Sequence, residues 1–97
     1  MYERIVCLKL TPEASDEAGR ERAERAVRAA FPGAWIGRPS DEKSRASWDL
    51  AFRVSSLSFA EADAVVGSES WTGIGKALGK DLAVLKTWGF ETVEDRR

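Results

Sequence analysis

Between Ser47 and Ser55 the chain alternates strictly, with Trp48, Leu50, Phe52 and Val54 on one side and Asp49, Ala51, Arg53 and Ser55 on the other. A period of two belongs to a β-strand whose two faces meet different surroundings. The segment therefore predicts a strand of a sheet with one packed face and one chemically different face. The remaining elements must be arranged around that asymmetry.

Tyr2 to Leu10 reads as a second strand, since Ile5, Val6, Leu8 and Leu10 are strand formers and Thr11-Pro12 ends the run. Ser15 is a candidate N-cap, with Asp16 and Glu17 in a first turn where the helix dipole favours negative charge. Ala23, Ala26, Val27, Ala30 and Phe31 then recur at helical spacing until Pro32-Gly33 stops the helix. Glu21–Arg25 and Glu24–Arg28 are i,i+4 pairs on the opposite, solvated side. Ala34 to Arg38 predicts a short strand, and Pro39 to Ala46 a polar loop. Ser58 and Glu61 form a capping box for a helix from Phe59 to about Val66. Glu69 to Leu78 predicts a further short helix, weakened by Gly73 and Gly75, and Leu82 to Val93 the last strand.

The order is β-α-β-β-α-(α)-β. Its simplest α+β solution is a ferredoxin-like protomer, a four-stranded antiparallel sheet with the helices on one face. The other sheet face is left for water or a partner. One domain is expected over residues 1–95, with a frayed tail at 96–97.

Composition narrows the chemistry. The 97 residues include no histidine, asparagine or glutamine, and the one cysteine is Cys7. Catalysis by Ser-His-Asp or Cys-His, histidine-containing zinc sites and internal disulfides are thereby excluded. Any general acid or base is a carboxylate, lysine, tyrosine, thiol or water. Fifteen Lys and Arg against sixteen Asp and Glu give a net charge of −1, which argues against nucleic acid as a partner. No apolar run approaches the roughly 20 residues of a membrane span. The lone cysteine and the lack of a secretory leader pattern point to the cytoplasm.

Gly73 to Lys80 resembles a phosphate loop without satisfying one: Ile74 stands where the first glycine belongs and Asp81 where the hydroxyl belongs. Cys7, mid-strand among apolar residues, reads as a small buried hydrophobe. Asp49 is unusual as a carboxylate within a strand. It is read as an ion-pair partner of Arg53 or Lys9, with a catalytic role as the alternative. Trp35, Trp48, Trp71 and Trp88 serve either packing or the walls of an aromatic pocket.

Four segments together resemble the stress-responsive A/B barrel (dimeric α/β barrel) family. They are Arg4-Ile5-Val6-Cys7-Leu8-Lys9-Leu10, Ser47-Trp48-Asp49-Leu50-Ala51-Phe52, Phe59-Ala60-Glu61-Ala62-Asp63-Ala64 and Lys86-Thr87-Trp88-Gly89-Phe90-Glu91. The resemblance implies a protomer that dimerises through its open sheet face into an α/β barrel. By that likeness Arg4, Val6, Leu8, Leu50, Phe52 and Val54 look toward the helices. Ile5, Cys7, Lys9, Ala51 and Arg53 look toward the second subunit. Lys9 and Arg53 then need carboxylates, with Asp49 or Glu91 as candidates.

Some family members, the olivetolic acid cyclase-type polyketide cyclases, close rings without metal or organic cofactor by means of pocket histidines. Arg4, Leu50 and Trp71 stand at those positions here, and Gly89 stands at a frequently acidic one. The expected function is therefore binding of a small aromatic or polyketide-like molecule, or cofactor-independent cyclase-like or isomerase-like chemistry on it. Arg4, Val6, Leu8, Leu50, Phe52, Trp71 and Ile74 would line the pocket. Arg4, Tyr2 and Asp49 are the candidate catalytic groups, and no cofactor or metal is expected. The alternative is a non-catalytic homodimer with a stress-related, structural or partner-binding role.

Overall fold

A computed structural model describes residues 1–93. The strands are β1 (Tyr2–Leu10), β2 (Trp35–Gly37), β3 (Leu50–Ser56) and β4 (Leu82–Glu91). The helices are α1 (Glu17–Ala30), α2 (Glu42–Ser47), α3 (Phe59–Ala64) and α4 (Glu69–Leu78), and a 3-10 turn, Gly79–Asp81, follows α4. The sheet order is β2-β3-β1-β4, and every neighbouring pair is antiparallel.

Register decides which side chains meet the helices. Val6 lies opposite Phe52, Leu8 opposite Leu50, and Ile36 opposite Phe52 on its other side. These even-numbered positions form the packed face. Val6, Leu8, Leu50 and Phe52 have no accessible surface, nor do Ala23 and Val27 of α1 or Ile74 of α4. Phe31 stacks on Phe52 with centroids 5.7 Å apart. Burying each large side chain contributes about 1.5–3 kcal/mol, so this layer is the main apolar source of stability.

Several boundaries differ from the sequence expectation. Asp16, not Ser15, caps α1, accepting from the Gly19 amide at 2.8 Å. Ser15 is drawn away by Asp49. The expected loop from Pro39 to Ala46 contains α2, because the Asp41 carboxylate accepts from the Ser44 amide and starts a turn. β3 begins at Leu50 rather than Ser47, since α2 runs through Ser47. β2 is shorter than expected, α3 stops at Ala64, and β4 ends at Glu91. The Ser58 hydroxyl accepts from the Glu61 amide, as expected, while the Glu61 carboxylate accepts from the Leu57 amide. Ser68 caps α4, which runs through Gly73 and Gly75 unbroken. The expected fraying at 96–97 lies outside the described residues.

Candidate functional site

The packed layer is not filled to its end. Where β1 begins, α3 lies over the sheet and leaves a cavity of about 200 Å³, lined by Tyr2, Arg4, Phe59, Ala62, Gly89 and Glu91 among others. The capping box places Phe59 at the first turn of α3, where it meets Tyr2 edge-on at 6.1 Å. Ala62, the buried residue of α3, forms the small roof. Alternation in β1 turns Arg4 toward the helices, where the apolar spacing would put an aliphatic residue.

Arg4 is the unusual element. Its Nε is buried without a hydrogen-bond partner, and no carboxylate lies within salt-bridge distance among the described residues. A buried donor left unpaired costs about 1–3 kcal/mol. Gly89, directly across the ladder, makes room for the guanidinium: a Cβ there would meet Arg4 Nη2 at 3.3 Å and Cζ at 3.4 Å. The cavity thus offers guanidinium donors, one phenol and aromatic walls, with two acidic residues, Glu3 and Glu91, also in its lining. Such a set orients an oxyanion.

Asp49 stands at the other end of β1, about 20 Å away by strand rise. It is 1% exposed and fully engaged. Its Oδ2 accepts from the Leu10 amide at 2.8 Å and faces Lys9 Nζ at 3.4 Å. Its Oδ1 accepts from the Ser15 hydroxyl at 2.6 Å and from Arg20 Nε at 3.3 Å. Burial pushes its carboxyl up, but the Ser15 hydroxyl, the Leu10 amide and Lys9 outweigh burial and hold it below the usual range. Lys9 is the partner its sequence position suggested. Arg20 and Ser15 came from α1 and its approach, and no pattern within β3 announces them.

The other expected positions are distributed differently. Val6, Leu8, Leu50, Phe52 and Ile74 are sealed in the core. Trp71 is partly buried against that core. Tyr2 and Arg4 come together, whereas Asp49 is apart from both. Phe59, Ala62 and Gly89 line the cavity, and the capping box was the sequence signal for Phe59. Burial raises the Cys7 thiol, the reverse of what an activated nucleophile needs. Among the described residues, no cluster of three His, Cys, Asp or Glu side chains is placed to hold a metal ion, and no helix is long and apolar enough to cross a membrane.

The open sheet face carries Ile5, Cys7, Ala51 and Arg53 with Trp35, Trp88 and Phe90 around them. Trp35 is 52%, Trp88 44% and Phe90 54% exposed, so a broad aromatic surface lacks a cover in the protomer. Trp48 packs edge-on against Trp88 at 6.3 Å. Arg53 pairs with Glu3 at 3.7 Å and lies over the Trp35 ring. Its carboxylate partner is therefore Glu3 rather than Asp49 or Glu91, because the register puts Glu3 opposite Ser55, one step along the same face.

No protein-family model matches the chain, and no curated protein matches it. Solved structures do. A dimeric protein of unknown function from Bacteroides fragilis, with a ferredoxin-like fold, superposes with a TM-score of 0.70 at 12% identity, over 94% of this chain and 95% of its own. An Arabidopsis thaliana protein gives 0.70 at 9% identity over the full length of both. A proposed antibiotic biosynthesis monooxygenase from Nitrosomonas europaea gives 0.56 at 19% identity, over 97% of this chain and all of that one. By sheet order, register and these likenesses, the chain has the ferredoxin-like α+β fold.

Proposed function

We propose that the protein binds a small single-ring organic anion in the cavity under α3, with Arg4 as its anchor, and that it works as a homodimer closed across the open sheet face. The observation that carries the reading is the Arg4 guanidinium, held against Gly89 with its buried Nε unpaired. A carboxylate or enolate oxygen on the ligand pairs with the amino groups of that guanidinium, which have no protein partner among the described residues. Tyr2 and Phe59 supply an apolar, aromatic surround. Size sets the ligand class. At about 200 Å³ the cavity falls below the roughly 300–1,000 Å³ of drug-sized pockets. A cavity of about 150 Å³ accepts benzene, so a one-ring acid fits and an extended polyketide chain does not.

Binding is favoured over turnover. Arg4 can steady an enolate and Tyr2 can donate a proton, but the third candidate group, Asp49, is far off and saturated with donors. The homodimer is supported by the exposed aromatic face and by the dimeric state of the Bacteroides fragilis protein that shares the fold. The wider likeness to the stress-responsive A/B barrel family supports the same arrangement.

Calorimetric titration with benzoate and salicylate tests the ligand reading. The expected result is saturable binding to the wild type, weakened at least tenfold by Arg4→Met, which keeps the apolar stem and removes the charge. Equal binding by that variant refutes Arg4 as the anchor. A second reading, a non-catalytic homodimer serving structure or partner binding, is favoured by the sealed centre of the helix–sheet layer. It is preferred if the folded protein binds no single-ring acid.

A further inference from the structure

The molecule holds a second, differently built concavity. It lies between the first half of α1 and the segment joining β2 to α2, has a volume of about 450 Å³, and is lined by Glu17, Arg20, Arg38, Pro39 and Arg45. We propose that this cleft is a binding site for a phosphorylated small molecule, with Arg20 and Arg45 as its clamp.

Arg20 is gripped from behind: its Nε donates to the buried Asp49 carboxylate. Neither of its Nη groups has a protein partner among the described residues. Arg38 is braced by Glu24 through Nε and Nη2 and by Glu17 through Nη1. Arg45 has no carboxylate within salt-bridge distance among the described residues; the only bond its side chain makes there is a long one, 3.4 Å, from Nη2 to the Ser40 carbonyl. Below it, Lys9 Nζ reaches the Arg45 carbonyl at 3.3 Å, tying α2 to the Asp49 cluster.

Two consequences follow. The cleft is lined by three cations, Arg20, Arg38 and Arg45, and one carboxylate, Glu17, while Glu24, Asp49 and Asp41 act on those cations from outside the lining. Asp49 also holds Arg20 in place before any ligand arrives, so less side-chain entropy is lost there on binding. Guanidinium forks match phosphate oxygens in geometry. The cleft is within the size range of small-molecule sites. Its lining has no aromatic ring, which separates it from the Arg4 cavity and disfavours a ligand held by stacking.

Glu17 supplies an internal check. It is 64% exposed and occupies one Arg38 amino group, so it competes with an arriving anion. Removing its charge frees that donor.

Pyrophosphate titration, followed by calorimetry and phosphorus NMR at about 0.1 M salt to screen non-specific attraction, tests the proposal. The wild type binds saturably at one site. Arg45→Ala and Arg20→Lys each weaken binding about tenfold or more, the latter although it keeps the charge, because the fork is lost. Glu17→Gln tightens binding. Lys76→Ala, on α4 and outside the cleft lining, leaves it unchanged. Thermal unfolding of each variant verifies that it is folded. Absence of saturable binding to the wild type overturns the proposal, as does an equal loss in Lys76→Ala. Neither outcome bears on the Arg4 cavity.

Discussion

Asp49→Ala is the sharpest perturbation the structure offers. One side chain holds the end of β1, the approach to α1 and α1 itself, through the Leu10 amide, Ser15 and Arg20. Truncation leaves the buried Leu10 amide without an acceptor, at a cost of about 1–3 kcal/mol. It also strips Lys9 and Arg20 of their carboxylate. Breaking a fully buried ion pair costs about 3–5 kcal/mol, but both cations are 27% exposed and water compensates part of that loss. The expected total is about 3 kcal/mol, a large share of the 5–15 kcal/mol that stabilises an ordinary domain. Urea unfolding followed by tryptophan fluorescence, at pH 7, measures it directly.

The pH dependence gives a second arm. The Asp49 carboxyl is depressed in the folded state, so its contribution is present above the unfolded value near 4 and is lost as pH falls through the lower folded value. The gap between wild type and Asp49→Ala therefore narrows as the solution is acidified below about pH 4. A loss under about 1 kcal/mol at pH 7, near the size of one ordinary hydrogen bond, or a gap that does not change with acid, refutes the account of Asp49 as a buried staple.

Other consequences are simpler to check. Trp88→Glu places a charge in the exposed aromatic face beside Trp48, and under the proposed homodimer it shifts the protein to monomer in sedimentation velocity, with near-native circular dichroism. Ser68→Ala removes the side-chain acceptor of the Trp71 amide at the start of α4. It lowers unfolding stability by about 1 kcal/mol.

The elements were legible where local rules act. The capping box at Ser58, the apolar stripe of α1 and the period of two from Leu50 onward in β3 each state their structure within a few residues, whereas Trp48 packs on Trp88 of the open face and Asp49 turns to α1, the reverse of the sides the alternation assigns them. Boundaries moved where a distant group intervened. Ser15 satisfies the local rule for an N-cap, but Asp49, 34 positions away, takes its hydroxyl, and the cap passes to Asp16. Helix α2 was hidden because its residues are polar apart from Ala46 and carry no apolar period, so only the Asp41 cap marks it. The site was half legible. Arg4 stands out as a charge among strand-forming residues, but Phe59, Ala62 and Gly89 become its neighbours only when β4 pairs with β1 and α3 folds back over both.

What the sequence determined by itself was periodicity, the order of elements and a set of forbidden chemistries, since these depend on neighbouring residues or on composition alone. Tertiary structure decided which positions became sealed core and which became cavity. Val6, Leu8, Leu50, Phe52 and Ile74 fill the space beneath the helices completely, whereas the Arg4 end keeps an opening. The physical reason is packing. Whether a helix-facing side chain meets other atoms or empty space depends on where a helix from elsewhere in the chain comes to rest, and no local pattern carries that information.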